Sequence, residues 1–384
     1  MSKKFLITCG GTGGHLAPGI ALAEGLAARG HAVTLFISQK RVDARLAEKY
    51  PHFTFVPEPG MPFSLRPLAF LQFAISQVHG LIFSLQAVRQ LRPDLIIGFG
   101  GFTSLAAGAA GRLLGIPVAL HEANRIPGRT VRFFGRFAQR VYLPFGVRLS
   151  SVRASVTRHV GLPVRREISR QPQAAARERL GLDPAQKVLV VFGGSQGAVS
   201  LNDWARGQLD RFAHAGVQVY CVTGLGKGRH EHLELATKAY TSIGAVFTPF
   251  CDSMADLFSA ADLVVARAGA GTIAELIRCT TPAILIPFPH AADDHQRANA
   301  AFFEKQGGGM VVDQAFLRAL HAEVLDVIFN DWLLRKFRDN LARMDQAASL
   351  DLMLLDLEDL ATPAAAESDS AGSHPPPAAQ PTAA

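Results

Sequence analysis

The sequence predicts an α/β protein made of two similar halves, each built on a parallel sheet. Apolar, β-branched runs alternate with helical patterns along most of the chain. The segment KKFLITCGGTGG at residues 3–14 is echoed by QKVLVVFGGSQG at residues 186–197, and each predicts a buried strand, a glycine-rich turn and a helix. The length of 384 residues also exceeds that of one ordinary hydrophobic core.

The predicted strands are short and apolar, as expected for strands that are covered on both faces of a sheet. They span residues 5–8, 32–37, 95–98, 118–120, 187–192, 217–222, 263–266 and 283–286. The two halves should meet near HVGLPVRREI, residues 159–168, where Gly161 and Pro163 interrupt the pattern. We therefore expect domains over residues 1–160 and 161–345. The last segment, 361–384, has no aromatic residue and is expected to be a disordered tail.

Composition narrows the function classes. The net charge of +7 favours an acidic partner such as phosphate, nucleic acid or an anionic membrane. The four cysteines are far apart and form no CxxC pair, which argues against a metal site or a disulfide framework and fits a reducing compartment. The opening MSKKFLITCGG breaks into glycines too early for a signal peptide.

The first glycine-rich turn carries the clearest chemical signal. Glycines between a strand and a helix let backbone N–H groups and the helix dipole approach an anion closely. The pattern is GGTGGH, which lacks the G-x-G-x-x-G spacing of dinucleotide sites. His15 follows this turn, and an imidazole with a pKa of about 6.5 accepts a proton near neutral pH. From the residues alone, His15 is either such a base or a helix-capping or core histidine.

Five motifs stand in a fixed order along the chain. They are GGTGGHLAPGIALAEGL, GFGGFTSLAAGAAGRLLGIPVALHEAN, GLPVR, VVFGGSQGAVSLN and ADLVVARAGAGTIAELIRCTTPAILIPFPHAADDHQRANA. In this order the chain resembles the MurG family of peptidoglycan glycosyltransferases, in glycosyltransferase family 28, over residues 3–345. The resemblance implies the GT-B fold, in which two Rossmann-like domains face each other across a cleft. It also implies that a last helix, at residues 346–360, returns to the first domain.

The reaction implied by the resemblance is an inverting sugar transfer. N-acetylglucosamine would move from UDP-N-acetylglucosamine to the 4-hydroxyl of the muramyl sugar of lipid I, the undecaprenyl-linked muramyl-pentapeptide, giving lipid II. The implied partners are both substrates, an anionic membrane surface and other proteins of cell-wall synthesis and division, with no nucleic acid. The implied location is peripheral, on the cytoplasmic face of the inner membrane. No Asp-x-Asp motif stands beside the donor loop, so we expect no obligatory metal or other cofactor.

The resemblance also assigns roles to individual residues. His15 resembles the catalytic base, with Glu122 as an alternative base and His121 as a supporting neighbour. Arg165 would pair with the donor phosphate, and Glu275 would accept the two ribose hydroxyls. From the residues alone, Arg165 is equally a solvated surface arginine and Glu275 a first-turn helix residue. The remaining donor or substrate positions are Thr12, Gly13, Gly14, Asn124, Ser195, Gln196, Cys251, Ala270, Gly271, Thr272, Ile273, Ala274 and Gln296.

Two of these positions depart from the family pattern. Gly271 stands where the family often has leucine, which we expect to loosen the donor loop. Cys251 stands where a bulky aliphatic residue is usual, with little expected effect, because uracil is recognised there largely by the backbone.

An uncharged stretch at residues 67–88 carries a separate prediction. It contains too many polar groups for a comfortable transmembrane span. An amphipathic helix or helical pair on anionic lipid fits, and so does a helix that faces the core. Basic residues flank the stretch or lie further along the chain, where they would form a stripe toward lipid headgroups or a solvated helix face. They are Arg66, Arg89, Arg92, Arg129, Arg132, Arg136 and Arg140.

Three other functions compete with this reading. The first is a GT-B transferase with a different lipid acceptor, such as a diacylglycerol glycosyltransferase. The second is a nicotinamide-dependent oxidoreductase, which would need the missing glycine spacing and an acidic residue about 20 residues further on. The third is a binding module that uses the cleft without catalysis, in which case His15 would be dispensable.

Overall fold

The first half of the chain forms a seven-stranded parallel sheet. A computed structural model describes residues 2–11, 13–61, 67–194, 196–238, 241–345 and 348–362. Within these ranges the strand order of the first sheet is β3-β2-β1-β4-β5-β6-β7. Its strands are β1 (Lys4–Thr8), β2 (Ala32–Ile37), β3 (Thr54–Pro57), β4 (Leu95–Gly98), β5 (Val118–His121), β6 (Arg140–Leu143) and β7 (Thr157–His159).

Helices cover both faces of this sheet, because a parallel sheet needs a crossover between successive strands. They are α1 (Gly13–Ala28), α2 (Arg41–Ala47), α3 (Pro67–Leu91), α4 (Gly101–Leu113) and α5 (Arg129–Phe134). The strand order reverses between β1 and β4. In such sheets ligands bind outside the carboxyl ends of the strands at the point of reversal. The glycine turn after β1 lies at that point.

The second half repeats the plan, with order β10-β11-β9-β8-β12-β13-β14. All its pairings are parallel except that of β10 with β11. Its strands are β8 (Lys187–Phe192), β9 (Val217–Val222), β10 (Glu231–Ala236), β11 (Ser242–Thr248), β12 (Leu263–Ala266), β13 (Ala283–Leu285) and β14 (Gly309–Val311). Its helices are α6 (Gln173–Arg179), α7 (Val199–Gly207), α8 (Leu209–His214), α9 (Met254–Ala260), α10 (Ala270–Arg278), α11 (His295–Lys305), α12 (Leu320–Ile328) and α13 (Asp331–Met344).

The eight strands predicted from apolar runs are all present, within a residue or so of the expected bounds. The structure adds β3, β6, β7, β10, β11 and β14, which lie toward the outer parts of the sheets. Strands there meet solvent along one face or edge, so their sequences are less uniformly apolar. In β10, for example, half-buried and exposed residues alternate.

The last described helix, α14 (Ser349–Leu360), packs on the first domain. Its residues Met353, Leu354 and Leu357 are buried in the core beneath β1 and α1. Asp356 accepts hydrogen bonds from Arg140 Nε at 2.8 Å and from the Tyr142 hydroxyl at 2.7 Å. The chain therefore passes between the domains twice. The tail expected from residue 361 lies outside the described residues from 363 onward.

The uncharged stretch forms one helix, α3, rather than a pair. One face packs on the first sheet, where the rings of Phe83 and Phe36 are 5.7 Å apart and Val88 is buried. The opposite face exposes five apolar side chains, which follow each other at spacings of three and four residues and are 49% to 80% exposed: Leu68, Leu71, Ile75, Val78 and Ile82. Among the described helices, this one contains a segment, Leu71–Leu91, long and apolar enough to cross a membrane by length and composition.

The basic residues on and near α5 make contacts of several kinds. Arg129 lies 3.6 Å from Asp293 of the second domain, and Arg132 pairs with the same carboxylate. Arg140 is committed to Asp356, as described above. Arg136 lies over the ring of Phe133, 5.0 Å from its centroid. Arg129 and Arg132 therefore share one carboxylate of the second domain, whereas Arg136 and Arg140 contact residues of the first domain and of α14. Arg66 lies outside the described residues.

Candidate active site

A cavity of about 840 Å³ lies between the two domains. Carboxyl ends of strands and starts of helices from both sheets form its walls. Most of the positions expected from the sequence line it, although they come from distant parts of the chain. They are Gly14, His15, Asn124, Arg165, Gln196, Cys251, Ala270, Gly271, Thr272, Glu275 and Gln296.

Five helices begin at this cavity. The residues that line it from the first turn of their helices are Gly14 of α1, Val199 of α7, Met254 of α9, Ala270 of α10 and Gln296 of α11. The N–H groups of a first helical turn have no partner within the helix, and the helix dipole is positive there. The cavity is therefore suited to a ligand with a diphosphate.

His15 lies in the first turn of α1, and its ring occupies a narrow space beside α4. A Cβ atom placed on Gly100 or Gly101 would lie 3.4 Å from a ring nitrogen, and both glycines have positive φ. The imidazole forms a hydrogen bond with the backbone of Gly10. Burial lowers the pKa of His15, and the Asp43 carboxylate and the Gly10 hydrogen bond only partly offset this effect. The neutral, proton-accepting form is therefore favoured at neutral pH.

Glu122 has a different place from the one expected. It is almost fully buried after β5 and does not line the cavity. Its Oε1 accepts from the backbone N of Asn124 at 2.8 Å and from Asn124 Nδ2 at 3.1 Å, and its Oε2 accepts from the backbone N of Gly128 at 2.6 Å. Burial raises the pKa of Glu122, and the hydrogen bonds from Asn124 and Gly128 only partly offset this effect. The carboxyl group thus orders the loop that carries Asn124 and is poorly placed to act as a base.

His121 is also buried, between the rings of Phe99 and Tyr142. Burial lowers its pKa to about 4, so it is a neutral core residue beneath the loop.

Asn124 connects the two domains. Its Oδ1 accepts a hydrogen bond of 3.0 Å from Nδ2 of Asn299, a residue of α11 in the second domain. In return, the backbone N of Arg125 donates to Asn299 Oδ1 at 2.9 Å. Asn299 was not expected as a site residue, although it lies in the quoted motif DDHQRANA, three residues after Gln296. This spacing places both residues on one side of α11.

Arg165 and Glu275 form an ion pair at the second-domain wall. Arg165 Nη2 lies 3.1 Å from Glu275 Oε1, and Arg165 Nη1 lies 2.9 Å from Glu167. Burial raises the pKa of Glu275, and the guanidinium acts in the opposite direction. The resemblance implied that Arg165 pairs with the donor phosphate. In the structure its guanidinium is paired with Glu275 and Glu167 instead. It holds the Glu275 carboxylate at the cavity wall.

The period of α10 explains which of its residues face the cavity. Gly271, Thr272 and Glu275 line it, as positions three and four apart on a helix share a face. Ile273 is buried in the hydrophobic core of the second domain, and Ala274 does not line the cavity. Neither side chain is therefore placed to contact a ligand there. A Cβ atom on Gly271 would lie 3.8 Å from the Cα of Gly14. The glycine therefore leaves open the space where a leucine side chain would approach the first-domain turn.

Family models match both halves of the chain. The glycosyltransferase family 28 N-terminal domain matches residues 5–143, and the C-terminal domain of the same family matches residues 188–349. The chain belongs to glycosyltransferase family 28.

Relatives with this family's activity are similar along most of their length. The UDP-N-acetylglucosamine--N-acetylmuramyl-(pentapeptide) pyrophosphoryl-undecaprenol N-acetylglucosamine transferase of Opitutus terrae is 60% identical over 93% of this chain and 95% of its own. The transferase of the same name from Solidesulfovibrio magneticus is 35% identical over 83% of this chain and 86% of its own.

Solved structures confirm the GT-B fold. The crystal structure of MurG from Acinetobacter baumannii has a TM-score of 0.69 at 23% identity and covers 94% of this chain and 100% of its own. The glycosyltransferase of kitacinnamycin has a TM-score of 0.70 at 17% identity, with the same coverage of both chains.

Two further cations of this family 28 cleft were not expected as site residues. Arg267 donates to the carbonyls of Ile286 and Pro287 at 3.1 and 3.2 Å and to Ser200 Oγ at 2.9 Å, so it braces loops of the second domain. The signal was an arginine directly after the buried strand β12. Lys227 is exposed, and its Nζ lies 3.1 Å from the carbonyl of Gly197, beside the second glycine turn. It has no comparable signal in the sequence.

Of the remaining expected positions, Gln296 and Cys251 line the cavity but are also engaged within the second domain, and two others lie outside the described residues. Gln296 Oε1 accepts from the backbone N of Phe288 at 3.0 Å. Cys251 is buried, and burial raises the pKa of its thiol. Gly13 is the first residue of α1. Thr12 and Ser195 are not among the described residues, and within the described ranges no three His, Cys, Asp or Glu residues are grouped closely enough to hold a metal ion.

Proposed function

We propose that the protein transfers N-acetylglucosamine from UDP-N-acetylglucosamine to the 4-hydroxyl of the muramyl sugar of lipid I. The carrying observation is that the cavity brings His15 of the first domain to face the Glu275–Arg165 pair of the second. A proton-accepting imidazole from one domain and a carboxylate suited to bind hydroxyls from the other thus line one cleft. The names of the relatives, described above, give the substrates.

The transfer has a simple balance of bonds. The acceptor oxygen forms a bond to the anomeric carbon from the face opposite the diphosphate, and the bond from that carbon to the phosphate oxygen breaks. The diphosphate leaves with the bonding electrons, and the hydroxyl proton passes to His15. The hydrogen bond with Gly10 orients the imidazole that accepts this proton.

Charge on the leaving diphosphate is stabilised by this chain's own groups, so we propose that transfer needs no bound metal. The support is the set of helix N-termini at the cavity and the exposed Lys227 amine. Dialysis against EDTA should leave the rate unchanged. A loss of activity that Mg²⁺ or Mn²⁺ restores would contradict this.

The decisive experiment measures transfer of labelled sugar from UDP-N-acetylglucosamine to a short-chain analogue of lipid I. UDP-glucose and UDP-N-acetylgalactosamine serve as competing donors, and a diacylglycerol serves as a competing acceptor. We expect transfer to the lipid I analogue alone and from UDP-N-acetylglucosamine in preference. Transfer to diacylglycerol instead would identify a different GT-B enzyme, and no transfer with tight UDP-sugar binding would identify a binding module.

We also propose that the exposed face of α3, defined above by Leu68, Leu71, Ile75, Val78 and Ile82, docks on an anionic membrane surface. Side chains three and four residues apart form one apolar strip along the helix. The net charge of +7 attracts anionic lipid. A lipid-linked acceptor requires the enzyme to work at such a surface. We therefore propose that the protein works at the cytoplasmic face of the inner membrane.

Vesicle binding tests this docking. Replacing Leu71, Ile75 and Val78 with serine should weaken binding to phosphatidylglycerol vesicles and spare transfer to the short-chain acceptor. A matched control replaces Leu352 and Leu355, which are similarly exposed on α14, and should bind as the wild type does. Equal binding by all three proteins would contradict the proposal. Phe83 is unsuitable for this test, because it packs on the sheet.

A further inference from the structure

Side chains from the β2–α2 connection and the first turn of α2 bond to both the backbone N and the backbone carbonyl of Gly11, in the first glycine turn. Asp43 Oδ2 accepts from the backbone N of Gly11 at 2.9 Å, and Lys40 Nζ donates to the carbonyl of Gly11 at 2.6 Å. Asp43 Oδ2 also accepts from the Ser38 hydroxyl at 2.5 Å and from its backbone N at 3.3 Å. We call Ser38, Lys40 and Asp43 the turn clamp. Asp43 is fully buried, whereas Lys40 is exposed.

The turn clamp reaches His15 through Gly10. A Cβ atom on Gly10 would lie 2.3 Å from the backbone N of Ser38, so the turn is pressed against the end of β2. The Gly10 backbone is in turn the hydrogen-bond partner of the His15 ring. A shift of the Gly10–Gly11 backbone would therefore turn the imidazole. A glycine-rich segment has little rigidity of its own, so the clamp supplies it.

The turn clamp also acts on His15 electrostatically. Burial is the main cause of the lowered pKa of His15; Asp43 raises that pKa, and Lys40 and His295 lower it. His295 faces the ring from α11, across the cleft. The other titratable groups that line the cavity are Lys49, Arg165, Lys227, Cys251, Asp252, Arg267, Glu275 and His290. Of the groups that act on His15 by charge, Asp43 is the one that favours its protonated form.

We propose that Asp43 is a positioning residue for the transfer reaction: it fixes the turn that orients His15 and stabilises the imidazolium formed when His15 takes the acceptor proton. The inference rests on His15 being the base of the proposed function. Asp43 exchanges no proton in this scheme. It resembles in role the carboxylate that orients and stabilises a catalytic histidine in hydrolases, although it acts here partly through the backbone.

The first test is Asp43→Asn, which keeps the shape of the side chain and removes its charge. We expect kcat to fall about tenfold to a hundredfold, because a hydrogen-bonded charge is lost. The donor KM should stay near that of the wild type, and the acidic limb of the pH–kcat profile should move to lower pH. The matched control is Asp262→Asn, which alters a buried carboxylate of the second domain, bonded to Arg177 and Val188, and should leave the limb in place.

A second variant tests the same coupling with opposite sign and little risk to folding. Lys40→Met removes an exposed cation that lowers the pKa of His15, so the acidic limb should move to higher pH. Asp43→Glu, which restores the charge, should recover the position of the limb. An unmoved limb in both Asp43→Asn and Lys40→Met would overturn the inference, as would an unmoved limb in Lys40→Met alone if Asp43→Asn does not fold.

The double variant separates this inference from the proposed base. Adding Asp43→Asn to His15→Ala should cost little further rate, because the group that Asp43 serves is absent. A normal rate in His15→Ala alone would refute the base itself. A slow His15→Ala that Asp43→Asn slows by the same factor as it slows the wild type would leave the base intact and overturn the role of Asp43.

Discussion

The two glycine turns, at residues 10–14 and 193–197, come from nearly the same sequence pattern and are held in place by different means. The first is gripped by the side chains of the turn clamp, with a charge on either side of Gly11. The second is held by close backbone packing: a Cβ atom on Gly197 would lie 2.0 Å from the carbonyl of Thr223. Asn202 secures the same carbonyl with a hydrogen bond of 2.9 Å.

This difference separates two tasks. A turn beside a group that gains and loses a proton needs charges whose effect reaches that group. A turn that only presents backbone N–H groups to a diphosphate needs rigidity, which tight packing supplies here together with the exposed Lys227 amine, 3.1 Å from the Gly197 carbonyl. In the proposed function, the same strand–glycine–helix pattern thus serves proton transfer in one half and anion binding in the other. The following variants challenge that division.

The largest expected effect is that of His15→Ala on kcat. Loss of a general base should lower kcat by ~10²–10⁴-fold. The donor affinity measured by calorimetry should be little changed, because Glu275, the carboxylate assigned to the donor ribose, lies in the second half. The protein should remain folded. A near-normal kcat would make His15 a structural residue and remove the chemical distinction between the turns.

Gly197→Ala tests the packing of the second turn. It should lower the free energy of unfolding by ~2–4 kcal/mol, through a clash with Thr223 and the cost of positive φ. The matched control is Gly194→Ala: this glycine also has positive φ, but its Cβ would meet no described atom within 4 Å. The control should cost only ~1–2 kcal/mol. Urea unfolding compares them, and equal losses would show that backbone conformation alone governs this turn.

Glu275→Gln should act on donor binding and not on the chemical step. Removing the charge that accepts hydroxyl hydrogen bonds should weaken UDP-N-acetylglucosamine by ~1.5–3 kcal/mol, or about tenfold to a hundredfold in Kd. Calorimetry gives the affinity, and saturating donor gives kcat. Because Glu275 also pairs with Arg165, circular dichroism must show that the variant is folded. A large loss of kcat at saturating donor would place Glu275 in the chemical step.

The last comparison is between a buried carboxyl group of each half and concerns the pH dependence of stability. Glu58 in the first half accepts from Ser84 at 2.8 Å, but its Oε2 has no hydrogen-bond partner among the described residues. Burial raises its pKa to about 8. The folded state then keeps a proton that the unfolded state releases above its ordinary pKa of 4.5. The contribution of Glu58 to stability should therefore be fully present below about pH 4.5 and be lost progressively as the pH rises to about 8.

Glu58→Gln should flatten this pH dependence when unfolding is measured by urea from pH 5 to pH 9. Asp262→Asn is the second-half counterpart. Asp262 has Arg177 within 2.6 Å, so its loss should reduce stability across the same range without flattening the curve. An unchanged slope in Glu58→Gln would mean that another group carries the dependence.

The sequence predicts the parts of this protein that depend on local pattern. Buried strands such as β1 and β8 are continuous apolar runs, and the glycine turns mark where ligands approach. His15 is recognisable because it stands at a helix start within a motif. Glu275 is recognisable from its motif alone: it lies in the second turn of α10, so its interpretation as a first-turn helix residue was wrong.

The partners of these residues were not predictable in the same way. Arg165 binds Glu275, 110 positions away in the chain. Asn124 binds Asn299 across the cleft. Asp43 is one carboxylate among many in the sequence, and only folding brings it against Gly11. Such pairings depend on how the sheets and domains pack, which no local pattern encodes. The same holds for the basic residues near α5, whose regular spacing hides unrelated partners.

The return of α14 to the first domain has a mechanical consequence. The chain passes between the domains near residue 161 and again before residue 349, and these crossings touch, since the backbone N of Gly161 donates to Ser349 Oγ at 2.9 Å. We expect two adjacent connections to act as a hinge, about which the cleft widens or narrows while twisting of one domain against the other is resisted. Closing of the cleft would then return Asn299 to Asn124 in the same register.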